Sequence, residues 1–209
     1  MAADDTADDT ADDTSDDTSD DTSDDTTADT SDDNAGSLAE ATPEQQLAAI
    51  AEVGAALDGA GVDHWLFGGW GVDFWVGRVT RPHHDVDLAV RRDDRPAMHR
   101  ALLQERWQHT PFENEVVGTR YRRGRVLLEL TFVLDDGGRV LIPFEPEAAV
   151  WSEQALGDAR RTLDGVTARV PALEIMLRDK SNPRTDDAED AAKDRADYEA
   201  LSRVDGGAT

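Results

Sequence analysis

The pattern of apolar and polar positions along the chain changes abruptly at residue 42. After that point, apolar residues recur at the spacing of one helix face: Leu47, Ile50, Val53 and Leu57. This period predicts an amphipathic first helix. Thr42-Pro43-Glu44-Gln45 has the pattern of a capping box with proline at the first helical position, which predicts where that helix starts. Gly59 and Gly61 predict its end.

The rest of the chain alternates between short strand patterns and short helix patterns. The predicted strands cover residues 64–67, 85–90, 125–134 and 139–143, and the last two belong to a β-rich stretch that runs from about 118 to 143. Helices are predicted at residues 70–76 and 144–152, and two more close the chain, starting near Pro171 and Thr185. Another predicted helix is opened by Asp94 and Pro96, and its inner face carries Met98, Leu102 and Leu103. Hairpin turns are predicted at Asp135–Gly138 and Asp164-Gly165. Helices interleaved with a small mixed sheet predict an α/β or α+β domain.

Residues 1–41 show neither of these patterns. Residues 3–26 are six tandem copies of Ala/Ser-Asp-Asp-Thr, and the whole tail carries fifteen aspartates, one glutamate and no lysine or arginine. A repeat with no apolar residue larger than alanine cannot bury a core, and adjacent like charges oppose compaction. We therefore predict a disordered acidic tail over 1–41. An acidic interaction arm and a neutral expansion of a short repeat both fit it.

Charge and composition narrow the classes of function. The formal net charge is −25, and residues 43–209 still carry −9 once the tail is set aside. A surface of that sign repels phosphate backbones, so we expect no stable nucleic-acid binding. An acidic surface favours binding of a cationic small molecule, although acidic surfaces also increase the solubility of proteins.

The chain has no cysteine, which excludes disulfides and cysteine-based zinc sites. No apolar stretch approaches the ~20 residues of a membrane span. The N-terminus lacks the basic and apolar regions of a signal peptide. We therefore expect a cytoplasmic protein with no membrane partner.

Two carboxylates on a predicted strand are the first candidates for chemistry. Asp85 and Asp87 flank Val86 and precede the apolar run 88–90, so both should lie on one face of the strand. Carboxylates placed side by side repel each other unless a cation lies between them, and Mg²⁺ is suited to that place. A solvated acidic strand end is the alternative, and spacing alone does not choose between the two.

A diglycine at the preceding turn adds a candidate phosphate site. Gly68-Gly69 lies between a predicted strand and a predicted helix. Glycines there allow close approach of the backbone to a phosphate, and a helix N-terminus supplies free N–H groups. A tight turn between strand and helix would need the same glycines.

Taken together, these residues resemble a known family. Gly-Gly, a helix and then Asp-x-Asp on a strand is the signature of the polymerase beta-like nucleotidyltransferase superfamily. The fuller run, with Gly-Gly-Trp-Gly-Val-Asp at 68–73, Gly77-Arg78, Thr80-Arg81 and His-x-Asp-Val-Asp at 83–87, looks like the branch of lincosamide nucleotidyltransferases and aminoglycoside 2''-adenylyltransferases. The resemblance implies a minimal nucleotidyltransferase core with a mixed sheet at 42–150 and a mainly helical C-terminal extension at 151–205.

The resemblance also implies a third carboxylate on a later strand. Glu129 is the lone acid in the apolar strand pattern at 125–132, where the family usually has aspartate. A buried charged carboxylate needs a cationic partner, so Glu129 is expected to complete a site for two Mg²⁺ ions with Asp85 and Asp87, to act as the base, or both. An outward-facing glutamate on an edge strand is the alternative.

Several residues are expected to contact the nucleotide on the strength of the resemblance. They are Gly68, Gly69, Trp70, Arg78, Thr80, Arg81 and Lys180. The alternatives are ordinary ones: surface bases for the arginines, a solvated helix end for the lysine, and a place in the core for the tryptophan.

The implied activity is transfer of a nucleoside monophosphate from an NTP, expected to be ATP, to a hydroxyl of a small molecule. The resemblance to this branch implies that the acceptor molecule is a lincosamide or an aminoglycoside. Two alternatives stay open: a toxin-type nucleotidyltransferase acting on tRNA or protein, and a catalytically inactive nucleotide-binding module.

Overall fold

The fold is known from a computed structural model, which describes residues 40–136, 139–142, 149–151, 153–182 and 187–205. Residues 1–39, which hold almost all of the predicted acidic tail, lie outside the described residues. The disorder of that tail therefore stays a prediction, as do the domain boundaries.

Five α-helices occur in the described part of the chain. In chain order they are α1 (Pro43–Gly59), α2 (Gly68–Val76), α3 (Arg95–Gln104), α4 (Leu173–Ser181) and α5 (Ala188–Asp205). The predicted capping box is confirmed at α1. The Gln45 backbone N–H donates to Thr42 Oγ1 over 3.3 Å, and the Thr42 backbone N–H donates to Gln45 Oε1 over 3.0 Å. The apolar face of α1 is buried as its period predicts.

Nine strands occur in the same residues, and short 3-10 turns cover 92–94 and 153–156. The strands are β1 (His64–Phe67), β2 (Val86–Arg91), β3 (Gln108–His109), β4 (Gly118–Arg123), β5 (Val126–Asp136), β6 (Arg139–Ile142), β7 (Ala149–Trp151), β8 (Arg160–Leu163) and β9 (Val166–Arg169). The main sheet has the order β1-β2-β5-β4-β3, and β6 and β7 continue from β5. Strands β8 and β9 form the predicted separate hairpin.

The sheet is mixed, and its one parallel pair among the described strands is β2 with β5. The predicted class, an α/β or α+β domain with a mixed sheet, is therefore confirmed. Strand β5 lies between β2 and β4, so Glu129 is not on an edge strand. The parallel register places Glu129 beside Asp87, and Phe67 of β1 lies on the other side of Asp87.

Apolar side chains cover both faces of the sheet. On one face, Leu66, Leu88 and Leu128 pack in a cluster with buried residues of α1 and α3. On the other face, Trp65, Ala89 and Val133 pack with Ile175 of α4. Because side chains alternate along a strand, the second face is also the one that carries Asp87 and Glu129. The C-terminal segment therefore covers the sheet next to these acids.

Three local predictions need correction. Residues 149–151 are predicted to be helical but form β7, because they pair with β6; residues 144–148 lie outside the described segments. Leu103 is 47% exposed instead of facing inward. Helix α2 begins at Gly68, two residues earlier than predicted.

No helix in the described segments is long and apolar enough to cross a membrane.

Candidate active site

Three carboxylates converge where the parallel strands lie side by side. Asp85 immediately precedes β2, Asp87 is its second residue, and Glu129 is the neighbour of Asp87 on β5. Oxygen atoms of the three side chains all lie within 4.8 Å of one another, and each residue is partly exposed. Glu129 is more than forty positions from the two aspartates in the sequence, and the sheet brings it beside them.

The donor set fits a hard divalent cation. Mg²⁺ prefers carboxylate oxygens and keeps part of its water shell, which partly exposed ligands allow. The backbone at Gly68 also leaves room for one of the carboxylates, that of Asp87. A Cβ atom at Gly68 would lie 2.0 Å from Asp87 Oδ2, so no side chain at that position is compatible with the observed place of this carboxylate. Gly68 also has φ of +61°, which glycine adopts at little cost.

The surroundings of the Glu129 carboxyl disfavour its charged form. Burial raises the pKa of its carboxyl, and the neighbouring Asp85 carboxylate raises it further. The Arg120 guanidinium, which faces Glu129 across the β4–β5 pair, opposes this rise in pKa. Without a cation, the charged form of Glu129 is therefore destabilised in the folded protein.

This electrostatic strain predicts a stability effect of Glu129→Gln. A carboxyl whose pKa is raised by folding lowers the free energy of unfolding as the pH rises through that pKa. In metal-free buffer the variant should therefore melt above the parent protein, and the difference should grow as the pH rises from the ordinary carboxyl range, about pH 4, through the raised pKa of Glu129. Thermal melts with a chelator present measure this. A difference that is constant across the pH range would contradict the charge explanation.

An open cleft of about 440 Å³ lies over the three carboxylates. Its floor is the start of α2 and the acids of β2 and β5, and its walls come from α4 and α5. Six carboxylates line it, Asp85, Asp87, Glu129, Asp179, Asp190 and Asp194. The lysine and arginine side chains in the lining are Arg81, Lys180 and Lys193, and His83 and His84 also border the cleft. The cleft is thus acidic overall, with its cations placed on particular segments.

The first turn of α2 opens into this cleft. Phe67, the residue before the helix, provides no side-chain cap, and the N–H groups at a helix N-terminus favour an anion. A Cβ atom at Gly69 would lie 2.4 Å from His83 Nδ1 and 2.8 Å from Arg81 Nη2. Each glycine is therefore required by close packing, the first by Asp87 and the second by the segment before β2.

A buried polar network holds that segment against α2. His83 Nε2 lies 2.6 Å from Asp73 Oδ2, and the other oxygen of Asp73 accepts from the Thr80 backbone N–H. Arg81 Nη1 lies 3.1 Å from His83 Nδ1. Because arginine can only donate, Nδ1 must accept, and the imidazole proton is therefore on Nε2, facing Asp73. The side chain of Gln46 donates to the His83 carbonyl.

The residues predicted to contact nucleotide divide into two groups. Gly68, Gly69, Arg81 and Lys180 border the cleft. The other three lie elsewhere: Trp70 is buried against the His83 ring, Thr80 binds Asp73, and Arg78 is exposed outside the cleft.

Arg120 was missed by the sequence reasoning. Its Nε donates to the Thr110 carbonyl over 3.2 Å, and its guanidinium lies 5.0 Å from the centre of the Phe112 ring. These contacts hold the cation on the same face as Glu129. Its sequence context, alternating with threonine and tyrosine, carries no signal of this, because only the register of β4 with β5 makes the two residues neighbours.

Comparison with known proteins identifies the family. The sequence profile of the family described as aminoglycoside-2''-adenylyltransferase matches residues 49–199. A 2''-aminoglycoside nucleotidyltransferase of Escherichia coli is 30% identical over 134 residues, which are 60% of this chain and 65% of that protein. The match thus spans slightly less than two thirds of the relative's length.

Two solved structures share the fold. The solution structure of the antibiotic-resistance factor ANT(2'')-Ia has a TM-score of 0.60 and 20% identity, over 79% of this chain and 92% of that one. The lincomycin-bound lincosamide adenylyltransferase LnuA has a TM-score of 0.59 and 17% identity, over 79% of this chain and 99% of that one. At these identities the likeness concerns the fold. Since the profile matches well over half of the sequence, the chain belongs to the aminoglycoside-2''-adenylyltransferase family.

Proposed function

We propose that this protein is a Mg²⁺-dependent nucleotidyltransferase that moves AMP from ATP onto a hydroxyl of an aminoglycoside. The convergence of Asp85, Asp87 and Glu129 at the parallel strand pair carries the proposal. It provides three oxygen-donor side chains beside the N-terminus of α2 in an open cleft. Membership of the family supports the reaction class.

The three carboxylates would hold two Mg²⁺ ions. Bound there, the ions would neutralise triphosphate charge and polarise the reacting phosphorus centre. In the reaction, the acceptor hydroxyl oxygen forms a bond to the α-phosphorus, the bond from this phosphorus to the β-phosphate oxygen breaks, and pyrophosphate leaves. The hydroxyl proton goes to the Glu129 carboxylate. Glu129 suits this role by its position, since its carboxylate lies within 4.8 Å of those of Asp85 and Asp87.

The cations and the helix terminus would bind the triphosphate. The first turn of α2, which begins at Gly68 and Gly69, borders the cleft and would offer its N–H groups to phosphate oxygens. Arg81 and Lys180 border the same part of the cleft from two different segments. Trp70, Arg78 and Thr80, which lie outside the cleft, are not proposed as contacts to the nucleotide. Fixed donors around the phosphates lower the barrier by positioning and by charge neutralisation.

The charge of the cleft supports a cationic acceptor. Asp179 and Asp190 lie on the α4 and α5 walls, in addition to the acids of the floor. Aminoglycosides carry several ammonium groups at neutral pH, so they match such a lining. The name of the E. coli relative points to the 2''-hydroxyl as the site of transfer.

The test is a transfer assay with matched acceptors. The purified protein is incubated with each labelled NTP, Mg²⁺ and a panel of aminoglycosides, their 2''-deoxy derivatives and lincosamides. We expect pyrophosphate release only with ATP and an acceptor that has the 2''-hydroxyl, and none with a chelator. The product should carry label at a 1:1 ratio to acceptor consumed.

Other outcomes would redirect the assignment. Release with a lincosamide instead would keep the reaction and change the acceptor. Label transferred to tRNA or to protein, with no small-molecule product, would favour the toxin type. Mg²⁺-independent binding of ATP with no transfer to any acceptor would identify an inactive nucleotide-binding module.

A further inference from the structure

Two cations of the cleft are held by one buried carboxylate. Arg81 Nη2 lies 3.0 Å from Asp197 Oδ2 and Lys180 Nζ also lies 3.0 Å from Asp197 Oδ2. Arg81 makes a second contact, from Nε to Asp197 Oδ1 over 3.2 Å. The Asp197 side chain is only 2% exposed. Arg81 comes from the segment before β2 and Lys180 from α4, so a single acid on α5 joins two distant parts of the chain.

Holding these cations has a physical cost that Asp197 offsets. Each long side chain loses rotamer freedom when it is fixed. Two cations close together also repel each other. A carboxylate between them removes the repulsion, and its two-point contact fixes the guanidinium plane. Asp194, 2.7 Å from Lys180 Nζ, holds the ammonium from a second side.

The turn at Gly68-Gly69 also leaves room for the guanidinium of Arg81. Arg81 Nη2 occupies the space where a Cβ atom at Gly69 would lie, at 2.8 Å. The guanidinium is thereby packed against the first turn of α2, the point where an anion is favoured. Asp197 thus holds Arg81 by two contacts, and the absence of a side chain at residue 69 leaves room for the guanidinium.

We propose that Asp197 is a positioning residue for nucleotide binding. It touches no substrate itself and holds Arg81 and Lys180 at a fixed spacing, ready to bind one triphosphate together with the α2 terminus. This inference rests on the proposed function, because it assigns the two cations to a nucleoside triphosphate. Preorganised cations bind without paying for their ordering at the moment of association.

The experiment compares Asp197→Asn with Glu199→Gln, a control on the same helix whose exposed side chain pairs with Arg203. For each variant we would measure kcat, the KM for ATP and the KM for the aminoglycoside. We would also measure the Kd of Mg²⁺–ATP by calorimetry without acceptor. We expect Asp197→Asn to raise the KM and Kd for Mg²⁺–ATP by about tenfold or more, with little change in kcat or in the KM for the acceptor. The control should match the parent protein.

A merely structural role of Asp197 would lower the melting temperature and leave the KM for ATP unchanged, and that result would overturn the proposal. Arg81→Lys provides the same test if Asp197→Asn does not fold. Lysine keeps the charge but cannot make the two-point contact, so the KM for ATP should again rise, and an unchanged KM would overturn the proposal. If the parent protein transfers nothing to any acceptor, the proposed function fails, and the Kd of Mg²⁺–ATP still decides the role of Asp197.

Discussion

Asp87→Asn should reduce nucleotide transfer on the order of 10³-fold or more while the protein stays folded. The substitution keeps the shape of the side chain and removes one ligand charge from the centre of the carboxylate group, where Asp87 lies beside Glu129 and near Asp85. Loss of about 4 kcal/mol of charge stabilisation in the transition state corresponds to a factor of that size. Turnover at saturating ATP and acceptor measures it directly.

Asp93→Asn is the matched control for this variant. Asp93 is exposed in the 3-10 turn that follows β2 and does not border the cleft, so it loses the same charge six residues away. Its turnover should equal that of the parent protein. Thermal melts with and without Mg²⁺–ATP separate the possible causes. The parent protein and Asp93→Asn should gain melting temperature from the ligand by mass action, and Asp87→Asn should gain much less. Equal gains in all three proteins would show that Asp87 holds no metal.

Local features of the fold could be predicted from the sequence because their causes are local. The capping box at Thr42 and Gln45 depends on residues three positions apart, and the buried face of α1 depends on a period within one helix. The hairpin at Asp164-Gly165 depends on its own turn residues. The segment at 149–151 shows the limit, since its strand forms only by pairing with β6.

The carboxylates of the candidate site could be predicted from the sequence for a different reason. Asp85 and Asp87 share a strand motif with the diglycine turn, so a resemblance within one short segment supplied the expectation. Glu129 was expected only because the family has an acid there, and its place beside Asp87 comes from the parallel pairing of β2 and β5. That pairing joins segments distant in sequence, and no local pattern encodes it.

The contacts that organise the cations could not be predicted at all. Arg81 and Asp197 lie 116 positions apart, and their contact depends on how α5 packs against α2 and α4. The sequence offered only an arginine near a motif and an acid in a helix. Both are common surface features, and burial of the acid to 2% exposure distinguishes it from a solvated one.

Gly68→Ala should reduce turnover at least about 10²-fold, although it adds one methyl group and changes no charge. The new Cβ would lie 2.0 Å from Asp87 Oδ2 and 2.8 Å from Asp87 Cγ, so that carboxylate must leave its observed position. A displacement of about 1 Å in a reacting arrangement costs a factor of this size. The affinity for Mg²⁺–ATP should fall as well, because the displaced oxygen is one of the proposed ligands.

Gly61→Ala separates this effect from backbone strain. Gly61 has φ of +69°, close to the +61° of Gly68, but a Cβ atom there meets nothing within 4 Å. Both variants should therefore lose a similar 1–2 kcal/mol or so of stability from the left-handed conformation, measured by denaturant unfolding. Only Gly68→Ala should lose turnover, and the loss should persist at temperatures where both variants are fully folded. Equal turnover in the two variants would mean that Asp87 can move without loss of activity. The proposed catalytic role of the three carboxylates would then be wrong.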